Sequence, residues 1–165
     1  MVFTSGASEG NNHVLRRVTA RAPATRRRLV TTAVEHSSVR SVAEELEAEG
    51  VAVTWLPLDR YGRVRPEDLA AVLDDTVCLV SCMLANNELG TLNPVRELAA
   101  LAHAHGAAFH ADCVQALGKI PVDVGDLGVD YATFSAHKVF GPKGVGVLYV
   151  RDGATLDPFI SGGHQ

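Results

Sequence analysis

The chain has 165 residues, 47% hydrophobic and 21% charged, a composition that suits one globular domain with a sizeable buried core. Its net charge of −4 and pI near 5.9 argue against nucleic acid or another polyanion as a partner, since those favour a basic surface. No apolar run approaches the roughly 18 residues of a membrane span, and the opening Met-Val-Phe-Thr-Ser-Gly lacks the basic-then-apolar order of a signal peptide.

From the start of the chain, strand and helix patterns alternate. Thr4-Ser5-Gly6-Ala7-Ser8-Glu9-Gly10 reads as a strand end turning into a helix that carries Val14, Leu15 and Val18. Between Glu9 and Glu35 there is no acidic residue, while Arg16, Arg17, Arg21, Arg26, Arg27 and Arg28 all fall there. A transit peptide or an anion-binding patch are the functional readings; a solvated helix face followed by a basic loop is the plainer and preferred one. Residues 29–34 are a β-branched apolar run, hence a strand. Val39, Val42, Ala43 and Leu46 recur at helical spacing, so 37–49 is an amphipathic helix ending at Gly50. Residues 51–56 form the next strand, and Pro66 with Glu67 and Asp68 opens a short helix. The run 77–84 reads as a strand buried on both faces. Asn93-Pro94 is expected to cap a helix with a stripe of Val95, Leu98, Ala99 and Ala102. Residues 107–111, 130–134 and 145–150 complete the strands. The fold class is α/β with a mostly parallel sheet flanked by helices, in a single domain over 1–165.

Cys78, Cys82 and Cys113 are too few for a disulfide framework and lack metal-knuckle spacing, which favours a reducing, cytoplasmic setting. Cys78 and Cys82, four apart on a strand, are expected to share one face as small core residues. Cys113 is a redox candidate only if its surroundings are open.

The residues just past the strand ends carry the chemistry. Glu35-His36, Asn86-Asn87-Glu88, Asp112 and Ser135-Ala136-His137-Lys138 each come directly after a strand. Ligands of open parallel sheets bind beyond the carboxyl ends of the strands, so these groups are expected to converge. The Thr4–Gly10 turn points unpaired helix N–H groups at an anion such as phosphate. Only Lys119, Lys138 and Lys143 are lysines, and Lys138 alone sits directly behind a strand-end polar cluster. A lysine beside a phosphate site, with a carboxylate on a neighbouring strand end, suits a Schiff base to a phosphorylated pyridine aldehyde.

FTSGASEGNN, VEHSSV, LANNELGTLNPV, HADCVQALGKIPVDV, SAHKVFGPKGVGVLYVR and the terminal GGHQ occur in this order, and over essentially the whole chain they resemble the cysteine desulfurases, a class V, aminotransferase-like family. Selenocysteine lyases look similar in the same stretches. The resemblance implies the large domain of the fold type I pyridoxal-phosphate-dependent transferases, with pyridoxal 5'-phosphate as cofactor. It implies that Lys138 holds the cofactor and moves protons at the substrate α-carbon. Asp112 would pair with the pyridinium nitrogen and Gln115 with the ring hydroxyl oxygen, with Asn87 near both it and the substrate. His36 would stack on the ring and act as acid or base. Ala7 through its backbone, Ser8, Ser135 and His137 would hold the phosphate. Ser8 stands where threonine is common in the family, and Cys113 where alanine is common.

Each residue also has a plainer reading. Asp112 and Asn86-Asn87 suit turns, His36 a helix cap, Lys138 the surface. Singly these readings win; jointly they leave the ordered motifs unexplained.

The implied reaction converts L-cysteine to L-alanine and leaves a persulfide for a sulfur-acceptor protein, as in iron–sulfur cluster assembly. In the family the nucleophilic cysteine lies beyond the GGHQ-type motif, and a smaller C-terminal domain supplies an arginine for the substrate carboxylate. None of the three cysteines matches that nucleophile's motif. The chain is therefore expected to be the cofactor-binding portion of a longer homodimeric enzyme, inactive alone. Selenocysteine lyase and a non-catalytic cofactor-binding fragment are the alternatives.

Overall fold

Runs rich in β-branched residues alternate with segments whose apolar residues recur at helical spacing, and each kind folds as its spacing dictates. The structure, a computed structural model, describes residues 1–162. In chain order it contains β1 (Val2–Thr4), α1 (Ala7–Arg21), β2 (Arg28–Thr32), α2 (Ser37–Ala48), β3 (Ala52–Leu56), α3 (Pro66–Ala70), β4 (Val77–Ser81), α4 (Val95–Ala104), β5 (Ala108–Asp112), α5 (Val124–Leu127), β6 (Tyr131–Ser135) and β7 (Gly146–Val150). The last part of the expected GGHQ motif, residues 163–165, lies outside the described residues.

The strands form one sheet in the order β1-β7-β6-β5-β4-β2-β3. β3, β2, β4, β5 and β6 run parallel, whereas β7 is antiparallel to β6 and β1 to β7. The expected mostly parallel α/β sheet is present, with an antiparallel edge that strand patterns alone did not reveal. One face packs Leu29, Leu79, Tyr131 and Leu148 against Val14 and Leu15 of α1 and Val39, Val42 and Leu46 of α2. The other packs Val30, Val80, Phe109 and Ala132 against Leu69 of α3 and Leu98 and Ala102 of α4. Each fully buried large side chain there contributes about 1.5–3 kcal/mol. No helix among the described residues is long and apolar enough to cross a membrane.

Three expectations are corrected. Cys78 and Cys82 are buried core residues but do not share a face: Cys78 packs with Leu79 under α1 and α2, Cys82 with Val80 on the α3–α4 side. Against β2, Arg28 pairs with Val77 but Leu29 with Leu79, so Cys78 is an extra residue that flips the alternation. Asn93 does not cap α4, whose N-terminus has no side-chain cap. Its side chain instead accepts the Val64 N–H at 3.0 Å and donates to the Met83 carbonyl at 2.9 Å. The arginine-rich stretch is more than a solvated face: Arg21 and Arg27 are exposed as the plainer reading expects, but five of the six arginines are also tied down. Arg16 pairs with Glu45, Arg21 with Asp157 and Arg28 with Asp74, while Arg17 and Arg26 donate to the Phe159 and His105 carbonyls.

The regular part of β4 ends at Ser81, yet the Cys82 and Leu84 N–H groups still donate to the His110 and Asp112 carbonyls of β5. The extended run therefore reaches position 84, and it delivers Asn86 and Asn87 to the same edge as Asp112.

Candidate functional site

β6, β5, β4 and β2 are neighbours in the sheet and parallel, so their carboxyl ends share one edge. β3, between β2 and β4 in the chain, lies outside β2 in the sheet and takes no part. At that edge a cavity of about 200 Å³ is lined by Ala7, Ser8, His36, Ser38, Met83, Asn87, Asp112, Val114, Gln115, Ser135, His137 and Lys138. All nine residues that the resemblance assigns to the cofactor or to catalysis line it, whatever their roles, whereas Glu35, Asn86 and Glu88 line a neighbouring depression.

One end of the cleft is the N-terminus of α1. The Ala7 N–H donates to Ser135 Oγ at 2.9 Å. The Ser8 and Glu9 N–H groups meet no acceptor among the described residues, so the positive end of a 15-residue helix faces the cleft. Glu9 turns back onto Ser5, taking its N–H at 2.8 Å and its hydroxyl at 2.6 Å, and these bonds hold its carboxyl below the usual range. Gly146 of β7 makes the turn possible. A Cβ there would stand 2.6 Å from Gly6 Cα and 2.8 Å from the Phe134 carbonyl oxygen.

At the other end Asp112 is buried where β5 stops. Its Oδ1 accepts the Val114 N–H at 3.0 Å and its Oδ2 the side-chain amide of Asn11 at 2.9 Å. Asn11 is fully buried; its amide also donates to Ser38 Oγ at 2.8 Å, and its oxygen accepts from Thr133 Oγ1 at 2.6 Å. Burial pushes the Asp112 carboxyl above its ordinary value, against the pull of the Val114 and Asn11 bonds and of His36. A cation set against this carboxyl would offset that cost.

His36 is the N-cap of α2, its Nδ1 accepting the Ser38 N–H at 3.2 Å. The same Nδ1 lies 2.8 Å from Ser38 Oγ, so Ser38 fixes the ring through both its N–H and its hydroxyl. Asn86 is the turn residue of its pair, its Oδ1 accepting the Glu88 and Leu89 N–H groups, while Asn87 lines the cleft. Gln115 Oε1 accepts from Lys119 Nζ at 2.7 Å, which leaves the amide nitrogen as its donor. His137 and Lys138 are exposed on the single turn Ala136–Val139 beyond β6. Gly141 closes that turn: its N–H donates to the Ala136 carbonyl at 2.9 Å, and a Cβ would come within 2.8 Å of Ala136 Cβ.

Asn11, Ser38, Met83 and Val114 were not read from the sequence as site residues. Asn11 left one signal, a polar side chain one turn beyond Ala7 on the helix face that carries Val14, Leu15 and Val18. Cys113 is not the open thiol that a redox role needs. It is fully buried, and burial with the neighbouring Asp112 drives its thiol far up. Cys78 is likewise pushed up to about 11, and Cys82 well above a free thiol, chiefly by burial. Among the described residues no three His, Cys, Asp or Glu side chains are grouped to hold a metal ion.

The whole chain, residues 1–165, matches the aminotransferase class-V family. The chain belongs to that family. Within the class-V aminotransferases it is 44% identical over 165 residues to the cysteine desulfurase IscS of Dictyoglomus turgidum, covering 100% of this chain and 42% of that protein. Among solved structures, a NifS-like protein superposes with a TM-score of 0.94 at 41% identity, covering 98% of this chain and 45% of the other. A structure described as SspA in complex with cysteine has a TM-score of 0.91 at 36% identity, with 98% and 47% covered. The chain thus spans less than half the length of these class-V relatives. Its sheet and flanking helices are those of the fold type I pyridoxal-phosphate-dependent enzymes.

Proposed function

We propose that this chain is the pyridoxal-phosphate-binding portion of a cysteine desulfurase, which converts L-cysteine to L-alanine and passes the sulfur to an acceptor protein. The observation that carries the reading is the cleft itself: a helix N-terminus whose Ser8 and Glu9 N–H groups meet no acceptor at one end, and at the other a buried carboxyl that makes no salt bridge, among the described residues. A phosphate at the first and a protonated ring nitrogen at the second fit that pair of charges. The relatives' names point the same way.

Bound there, pyridoxal phosphate supplies an electron sink that weakens bonds at the substrate α-carbon. The backbone at Ala7 and Ser8, the Ser8 and Ser135 hydroxyls and His137 would hold the phosphate, with the Ala7 N–H bond keeping Ser135 Oγ at the helix N-terminus. Asp112 keeps a proton on the ring nitrogen, with Asn11 fixing the carboxyl's orientation. Gln115 would donate its amide N–H to the ring oxygen, with Asn87 near both that oxygen and the substrate. His36 would lie against the ring and act as acid or base toward the substrate. Lys138, with no hydrogen bond among the described residues, would hold the cofactor through Nζ and carry protons to and from the α-carbon.

The thiol that takes the sulfur comes from outside this chain, because Cys78, Cys82 and Cys113 are all buried with raised thiols. This favours a reading in which the 165 residues, one domain, hold the cofactor but do not turn over cysteine alone. A homodimer is part of the proposal, supported by bare apolar side chains beside the cleft at Leu89 and Phe140. The free cysteines suit a cytoplasmic setting.

The test is to add pyridoxal phosphate to the purified chain, reduce with borohydride and map the adduct by peptide mass spectrometry. A stoichiometric adduct on Lys138, lost in Lys138→Ala, is expected. No adduct from a folded chain, or an equal spread over Lys119 and Lys143, overturns the cofactor reading; sustained alanine release overturns the reading of the chain as incomplete.

A further inference from the structure

The loop after β2 and the extension of β4 bring His36, Met83 and Asn87 to the cleft, yet neither is regular structure at that point. Two side chains tie them together. Asn86 donates its amide to the Val34 carbonyl at 2.9 Å. Glu35 accepts the Met83 N–H at 2.7 Å on Oε1, with the Thr32 hydroxyl on the same oxygen at 3.3 Å. Glu35 is 5% exposed, and its Oε2 is buried with no partner among the described residues. No proposed role in binding the cofactor uses this carboxyl.

We propose that Glu35 is a positioning residue for the cofactor cleft, acting as a neutral acid that fastens the His36 loop to the strand extension carrying Met83 and Asn87. It rests on the proposed function only for what the cleft binds. A buried carboxylate with one unpartnered oxygen and no paired cation is costly, whereas the neutral acid loses less and its carbonyl oxygen still accepts the Met83 N–H. The groups that face it do not help the charged form. Asp112 of β5 repels it, and Cys82 beyond β4 is a buried, neutral thiol. His36, Arg40 and Glu88 share the shallow depression on its other side, where Arg40 is paired with Glu44. Burial first, and Asp112 next among the forces that raise it, move its pKa up to about 8 against the Met83 bond. Ionisation then sets a negative charge in a buried volume beside the Asp112 carboxyl, and the loop relieves it by turning Glu35 to water. Met83 loses its acceptor and His36 its fixed place.

The experiment tracks amide exchange at Met83 by NMR in the ligand-free chain from about pH 6 to 9, as a protection factor relative to the unstructured rate. Wild type is expected to lose about tenfold in protection as pH passes 8. Glu35→Gln, which keeps the acceptor without the charge, retains it throughout, and Glu35→Ala lacks it at every pH. The borohydride-trapped occupancy of Lys138 is read on the same samples and falls with pH more steeply in wild type than in Glu35→Gln. Equal pH dependence of Met83 protection in wild type and Glu35→Gln overturns the proposal, and so does wild-type protection in a folded Glu35→Ala. If Met83 behaves as expected but Lys138 traps nothing, the cofactor reading fails while the positioning role stands.

Discussion

The side-chain amide of Asn11 donates to Asp112 Oδ2 at 2.9 Å, across 101 residues of sequence. Asn11 lies one turn after Ala7 on α1, so the helix whose N-terminus forms the anion end of the cleft also holds the carboxyl at the other end. One rigid element sets the separation of the two charges.

Replacing Asn11 by Ala should therefore loosen both. It strips a buried donor from Asp112 and a buried acceptor from Thr133, which costs about 1–3 kcal/mol. Urea unfolding is expected to show that loss, and equilibrium dialysis with pyridoxal phosphate a weaker affinity. Unchanged stability and affinity would show that Asp112 needs no support from α1.

Acid–base behaviour of the ligand-free chain should be unusual. Glu35 has its pKa raised from 4.5 to about 8, so the folded state holds a proton that the unfolded state releases. Its contribution to stability is full below 4.5 and is lost as pH rises to 8. His110, buried and bonded to Ser81 at 2.8 Å, is lowered from 6.5 to about 3 by burial, so it opposes that slope only below 6.5. Between pH 6.5 and 8 the Glu35 slope stands unopposed by His110, a loss of about 2 kcal/mol. Chemical denaturation across that range should show the fall, and Glu35→Gln should flatten it.

Gly146→Ala is expected to be among the most damaging small changes. The new methyl meets Gly6 Cα at 2.6 Å and the Phe134 carbonyl at 2.8 Å, both backbone atoms that have no rotamer to yield. A loss of about 1–3 kcal/mol is expected from overpacking. The displaced turn should also cost phosphate-dependent binding, so pyridoxal phosphate suffers more than pyridoxal in competition dialysis.

Asp130 offers the opposite case, stability without the site. It lies at the start of β6, away from the cleft, and accepts the Phe109 N–H and His103 Nε2 at 2.7 Å each and Arg151 at 2.5 Å. Asp130→Ala leaves the buried Phe109 N–H without its acceptor, while His103 and Arg151 are open enough to turn to water, and should cost about 1–3 kcal/mol. Well below its midpoint the variant should still trap pyridoxal phosphate on Lys138 at wild-type stoichiometry. A large loss of trapping in the folded variant would mean that the two ends of the sheet are coupled.

The elements were legible because their signals are local. Val39, Val42 and Leu46 announce α2 by spacing, and Pro66 with its acids marks the start of α3. The cleft was legible for a related reason: a parallel sheet exposes the residues directly past its strand ends, so Asp112 and Lys138 stand out by position in the chain. The plainer readings proved partly true as well. His36 does cap α2, and Asp112 does accept a turn N–H. A cap bond uses one ring nitrogen and a turn bond one lone pair, so neither removes the residue from the cleft.

The sequence by itself determined nearly all of the strands and helices (the short α5 escaped it), which groups lie past the strand ends, and the family. These come from hydrophobic period, capping chemistry and motif order, all written within a few residues of one another. Tertiary structure alone decided the rest. Cys78 and Cys82 face apart because β2 pairs with a bulged β4; Asn93 leaves its helix for Val64 and Met83; and the arginines tie α1 to α2 and to the segment after β7. Lateral register and long-range hydrogen bonds are properties of strand order. A polar side chain finds its partner only after the sheet has chosen its neighbours.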